Sequence, residues 1–272
     1  MEKRKINSIV SLLLTTIFLT ACSFPTSAPT VEPQVTEPES PQTEAPAASE
    51  GGLPVQGEGL CSNAYYPVRQ GATWNYKSTG SPAGEYSFTD TISAVRDDGF
   101  TLSTQFNNLT RTQEWACREE GLVALQFGGA PAALLDAQNM QLSLEVNNVS
   151  GVTFPDEINA GDQWQHNLDL QGSMTILGQQ GTAEGNAQTN FTAVGNESVT
   201  VPAGTFDAMK IQIDTTLNMT VSYQGLSVPV SFSGPYTYWF VQGVGWVKAS
   251  GTGTAEGTSF SETIELQSYS IP

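Results

Sequence analysis

The chain is poor in groups that do chemistry, so the few it has can be weighed one by one. It holds one histidine, His166, and lacks Gly-x-Ser-x-Gly, His-Glu-x-x-His, Ser-x-x-Lys, EF-hand and phosphate-loop motifs. Its three cysteines, Cys22, Cys61 and Cys117, lie far apart with no His or Cys at ligand spacing, so no metal site and no cofactor are expected. Two acids stand out. Asp90 and Glu262 each interrupt an apolar face in the order aromatic-x-acid-x-isoleucine, Phe88 to Ile92 and Phe260 to Ile264. An inward carboxylate is costly unless it is paired or hydrogen-bonded. Such an acid is a polar group of a ligand cavity, an edge or solvent-rim residue, or a partner of Arg69, Arg96 or Arg111. A carboxylate enzyme would need two acids about 5–9.5 Å apart in a cleft, which spacing along the chain does not reveal.

The elements that must position these groups are strands. Met209, Ile211, Ile213, Leu217, Met219, Val221 and Tyr223 share one parity, while Lys210, Gln212, Asp214, Asn218 and Ser222 share the other. A period of two held this long predicts a strand with one buried and one wet face. Similar alternation runs through Tyr86–Ala94, Phe100–Phe106, Trp164–Leu170 and Phe260–Leu266. Only Pro131–Gln138 suits a short helix. The expected fold is all-β and mainly antiparallel, either a curved sheet or half-barrel or a two-layer sandwich, built from two tandem pseudo-repeats.

Three anchors carry the repeat. Gly71-Ala-Thr-Trp74-Asn-Tyr76 matches Gly161-Asp-Gln-Trp164-Gln-His166. Ile92–Leu102 aligns without gaps on Phe191–Val201, with hairpin turns expected at Asp97-Asp98-Gly99 and Asn196-Glu197-Ser198. Trp115-x₅-Gly121 aligns on Trp239-x₅-Gly245, each glycine at a position expected to need positive φ. The alignment assigns 61–150 and 151–272 to one β unit each, expected as two halves of one domain. It makes Met209–Tyr223 the longest strand and puts the paired tryptophans in equivalent places. His166 falls where Tyr76 falls in the first unit, which favours a packed amphipathic ring over a catalyst. A ligand or partner site would lie at the seam between units, with Tyr76, His166, Asp90 and Glu262 as its candidates.

The N-terminus gives an address. Lys3, Arg4 and Lys5 precede an apolar stretch from about Ile6 to Leu19 and small residues, the order of a secretory signal. That stretch falls short of the roughly 20 residues of a spanning helix. Leu19-Thr20-Ala21-Cys22 resembles the lipobox of bacterial lipoproteins. The resemblance implies removal of residues 1–21, diacylglyceryl transfer to Cys22, and a place in the cell envelope on an extracytoplasmic face. Ser23 is no aspartate-type retention signal, so a two-membrane cell would send the protein outward. Two acyl chains hold stably where one does not, so the membrane is an expected partner through the anchor alone. Once Cys22 is lipidated, Cys61 and Cys117 are the two thiols left in an oxidising compartment, and a disulfide between them is expected.

Residues 22–60 form a tether. Positions 23–60 hold seven prolines and six glutamates with no Lys or Arg, too little apolar surface to offset the entropy of ordering. From Cys61 onward, seven Lys or Arg face twenty Asp or Glu, a formal charge of −13. That balance excludes nucleic acid as a partner and disfavours an anionic bilayer surface.

Tyr65–Tyr76, Val201–Lys210 and Tyr238–Lys248 resemble segments of uncharacterised β-rich bacterial lipoproteins. This resemblance implies fold and location and transfers no functional residue. Composition and motifs favour a non-catalytic binding or assembly module acting on an extracytoplasmic protein. The alternative is a carrier of a lipid or other apolar ligand in a half-barrel cavity. A cavity of several hundred Å³ would favour the carrier, and a filled core the module.

Overall fold

A computed structural model describes residues 59–81, 84–106, 109–128, 141–176, 179–223, 225–255 and 258–272. Cys22, the tether as far as residue 58 and the Pro131–Gln138 segment lie outside them. Residues 48–272 form one compact unit. After a 3₁₀ turn at Gly59–Cys61 come β1 (Thr73–Thr79), β2 (Tyr86–Arg96), β3 (Gly99–Phe106), β4 (Leu109–Arg118) and β5 (Gly121–Ala124). Then follow β6 (Gln141–Gly151), β7 (Phe154–Pro155), β8 (Gln163–Ile176) and β9 (Gln179–Val201). The chain ends with β10 (Gly204–Tyr223), β11 (Leu226–Val241), β12 (Gly245–Ala255) and β13 (Thr258–Ser270).

The thirteen described strands all pair antiparallel in one curved sheet, in the order β6-β8-β9-β10-β11-β12-β13-β1-β2-β3-β4-β5-β7. The sheet does not close into a barrel, and the half-barrel form is realised rather than the two-layer sandwich. Its edges, β6 and β7, are consecutive in the chain. Val152 N donates to Gln165 O of β8 (3.0 Å), and Thr153 N donates to Leu122 O of β5 (3.0 Å). One bent segment therefore steps from one edge to the other.

The period-two reading of β10 is observed. Met209, Ile211, Leu217, Met219 and Val221 are buried, and Gln212, Asp214, Asn218 and Ser222 are exposed. The longest strand is β9 with 23 residues, not β10 with 20. Inward residues form a large cluster on which the N-terminal segment packs, with the Tyr66 ring 5.3 Å from Trp115 and 5.4 Å from Phe154. A smaller cluster around Leu168, Leu170 and Leu217 covers the far ends of the long strands. Cys61 and Cys117 are disulfide-bonded with Cα atoms 5.0 Å apart, tying the domain entry to β4.

Both halves run as five-stranded meanders, β1–β5 and β8–β12, each entered through the same turn. Ala72 N donates to Arg69 O and Asp162 N to Asn159 O. Gly71 (φ 88°) and Gly161 (φ 95°) then donate to Ile92 O and Ala193 O. A left-handed residue is needed there, which glycine adopts without a Cβ clash. These bonds make Ala193, not Phe191, the counterpart of Ile92. The hairpin expected at Asn196-Glu197-Ser198 forms instead at Pro202-Ala203, after β9 has run on to Val201. Gly121 and Gly245 do take positive φ, 129° and 103°. The tryptophans do not occupy equivalent places. Trp115 faces the concave side beside Phe100 (5.4 Å), whereas Trp239 faces outward beneath Lys210 and Lys248.

Candidate functional site

The concave face encloses a cavity of about 400 Å³. Strand parity builds it. Tyr86, Phe88 and Asp90 of β2, Thr104 of β3, and Tyr236, Tyr238 and Phe240 of β11 alternate inward and line it. His166 of β8, Thr189 of β9 and Thr215 of β10 form a polar row on the opposite run of strands. Rings of Tyr66, Trp115, Phe154, Phe191 and Trp246 complete a mostly aromatic wall.

The four candidate residues all point to the concave side but do different things. Tyr76 on β1 is buried, stacked on Trp246 with centroids 3.8 Å apart, and donates to Trp246 O at 2.9 Å. It supports the wall from behind. Glu262 on β13 is 1% exposed and accepts three hydroxyl hydrogen bonds. Ser78 Oγ (2.6 Å) and Tyr86 Oη (2.9 Å) donate to its Oε1, and Tyr236 Oη (3.0 Å) donates to its Oε2. Both tyrosine hydroxyls are pushed to high pKa, by burial first and by the Glu262 charge second. One carboxylate thus ties β1, β2 and β11 to β13. Tyr236 reaches it by lying flat over Gly251, where a Cβ would overlap the ring.

Asp90 is the one carboxylate among the described lining residues. It accepts from Thr104 Oγ1 at 2.6 Å, and its pKa is pushed up to about 6 because burial disfavours its charge. Neither acid is a solvent-rim residue, since Asp90 is 8% and Glu262 1% exposed. Arg96 binds Glu114 at 2.7 Å on the outer face. His166 is 6% exposed, and its Nε2–H donates to Ala124 O at 2.9 Å. Burial pushes its pKa down, with the Arg118 charge adding to the effect against the opposing carbonyl bond. The ring is neutral, and it clamps β8 to the end of β5. Beside it Trp164 Nε1 donates to Thr153 O, and Thr153 Oγ1 accepts from Ala124 N. His166 therefore sits where the two meanders meet through β7, and Tyr76 and Glu262 sit where they meet through β13 and β1. Asp90 lies within the first meander, away from both junctions.

Sequence reasoning did not single out Thr104, Arg111, Gln113, Thr189 or Thr215 as lining residues. Each reads alone as an ordinary polar strand residue. The signal was present only as inward parity shared with Asp90 and His166.

No curated protein matches the chain. Among solved structures, it is similar to a protein of Bacteroides fragilis described as exported and having a YmcC-like fold. That match has 12% identity and a TM-score of 0.46, over 77% of this chain and 100% of the other. A protein of Parabacteroides distasonis described as a lipoprotein matches at 13% identity and TM-score 0.45, over 76% and 99%. The hypothetical lipoprotein YmcC of Escherichia coli K12 matches at 10% identity and TM-score 0.33, over 74% and 85%. Residues 82–256, from the β1–β2 connection to the end of β12, match the DUF3108-like family, and the chain belongs to that family.

Proposed function

We propose that this protein is a lipid-anchored, extracytoplasmic binding protein that holds an apolar or amphipathic ligand in its half-barrel and catalyses no reaction. The single observation that carries the reading is the cavity of about 400 Å³ walled by aromatic rings. Cavities of this size bury most of a small ligand, and a few placed polar groups among apolar walls fix its orientation. A module that worked only through its outer surface would need no such space, and closing it would improve packing. Anchoring at Cys22 fits a protein that meets lipid-derived or exported compounds, and the acidic tether would hold the half-barrel off the headgroups.

The test is native mass spectrometry of the protein purified from its own host, with competition against an environment-sensitive apolar dye. Co-purifying small molecules and saturable dye binding are expected. Thr189→Phe, which drives a ring into the space, should abolish both without unfolding the domain. Dye binding unchanged in that variant would turn the reading back to an assembly module.

A further inference from the structure

Two acids lie buried on the concave face, and the fold meets them differently. Glu262 has three hydroxyl donors and lies outside the cavity lining. Asp90 opens onto the cavity with Thr104 as its donor. A buried carboxylate with one donor costs stability, and such groups persist where a ligand completes them. Its surroundings are aromatic. Trp74 sits directly across on β1, and Phe88 precedes it on the same face of β2. Tyr66, Tyr76 and Tyr238 are near enough for its charge to raise their hydroxyl pKa values, after the larger effect of burial.

We propose that the cavity selects a hydrophobic cation, an ammonium group on an apolar body, whose charge is met by Asp90 and the faces of the surrounding rings. This rests on the reading that the cavity binds a ligand. Aromatic faces attract cations most strongly where water is excluded, and a carboxylate among them supplies the opposite charge. The remaining charged or titratable lining groups fit this assignment. His166 is neutral and clamped to Ala124 O. Arg111 lies in the same cross-strand row beyond Thr104, two strand spacings or about 10 Å from Asp90. The formal charge of −13 from Cys61 onward concentrates cations at the molecule before they enter.

The experiment uses the full chain carrying Cys22→Ser, which removes the anchor and leaves every described residue unchanged. Decyltrimethylammonium, decan-1-ol and decanoate are titrated below their micelle concentrations at neutral pH, with tryptophan fluorescence and calorimetry as readouts. The cation is expected to bind about tenfold tighter than the alcohol or more, and the carboxylate weakest. Asp90→Asn should erase the preference for the cation, bringing its affinity level with that of decanol in the same variant. Equal binding of the three, tightest binding of decanoate through Arg111, or a cation preference that survives Asp90→Asn would overturn the proposal and leave a ligand-binding cavity standing. Binding of none of them, together with no dye binding, would overturn both. The wild-type ranking alone decides the matter if the variant fails to fold.

Discussion

Asp90 and Glu262 share a sheet face and a local sequence pattern, yet amidation should move stability in opposite directions. Glu262→Gln keeps the volume but presents an amide NH₂ to at least one hydroxyl that now donates to a carboxylate. A loss of about 1–3 kcal/mol is expected, as for other charge-assisted bonds broken in a buried site. Asp90→Asn removes a charge that burial disfavours. Its pKa rises from 3.8 to about 6 on folding, so between those values the folded state keeps a proton that the unfolded chain has lost. Stability therefore falls as pH rises through that window and stays lower above it, by about 3 kcal/mol for a shift of two units. Asp90→Asn should recover up to that amount at neutral pH and nothing below the window, as measured by urea unfolding across pH. His166 acts at the other side. Its folded pKa lies below the ordinary imidazole value of 6.5, so protonation favours the unfolded chain, and stability should drop as pH falls below that value. Replacing His166 by Gln, which can still donate to Ala124 O, should flatten that acid limb. An unchanged acid limb would mean that the ring titrates freely.

At the scale of elements, Gly251 seats Tyr236 on the sheet and the disulfide fixes the entry of the chain. Gly251→Ala would drive Tyr236 off the strand surface and away from Glu262. A cost of about 1–3 kcal/mol is expected from overpacking. Joint replacement of Cys61 and Cys117 by Ser reopens a loop with a sequence separation of 56 and should cost about 4 kcal/mol in the chain-entropy account, seen as a lower urea midpoint. The strands themselves were legible because alternation writes one face directly into the sequence. Their equivalence between halves was only partly so. The Trp-x₅-Gly spacing is identical, but the β4–β5 turn has two residues, Glu119 and Glu120, whereas the β11–β12 turn has three, Gln242 to Val244. Trp115 thus lies three residues before its closing pair and Trp239 two, and one residue of slip sends a side chain to the other face. A cavity is harder still to read. An inward Phe191 or Thr215 has the same parity whether the space before it is filled or empty, and only the closure of distant strands decides which.

At the scale of the molecule, the anchor and the half-barrel should be separable. Residues 48–272 form their own compact unit, and the disulfide, both hydrophobic clusters and the cavity all fall within it. Membrane retention would rest on the two acyl chains at Cys22, since the acidic domain has nothing to offer an anionic bilayer. Cys22→Ser should therefore abolish labelling by a fatty-acid analogue and leave the chain as uncleaved precursor or as released protein. The thermal midpoint of the domain and its affinity for an apolar dye should not change, because the disulfide, both clusters and the cavity are built from residues after Gly59. Raising the salt concentration should leave both forms where they are, since acyl-chain burial is not screened as surface charge is. Labelling that persists in the Cys22→Ser chain would remove the lipoprotein reading. Salt-sensitive retention of that chain would point instead to a basic envelope partner held by the acidic face.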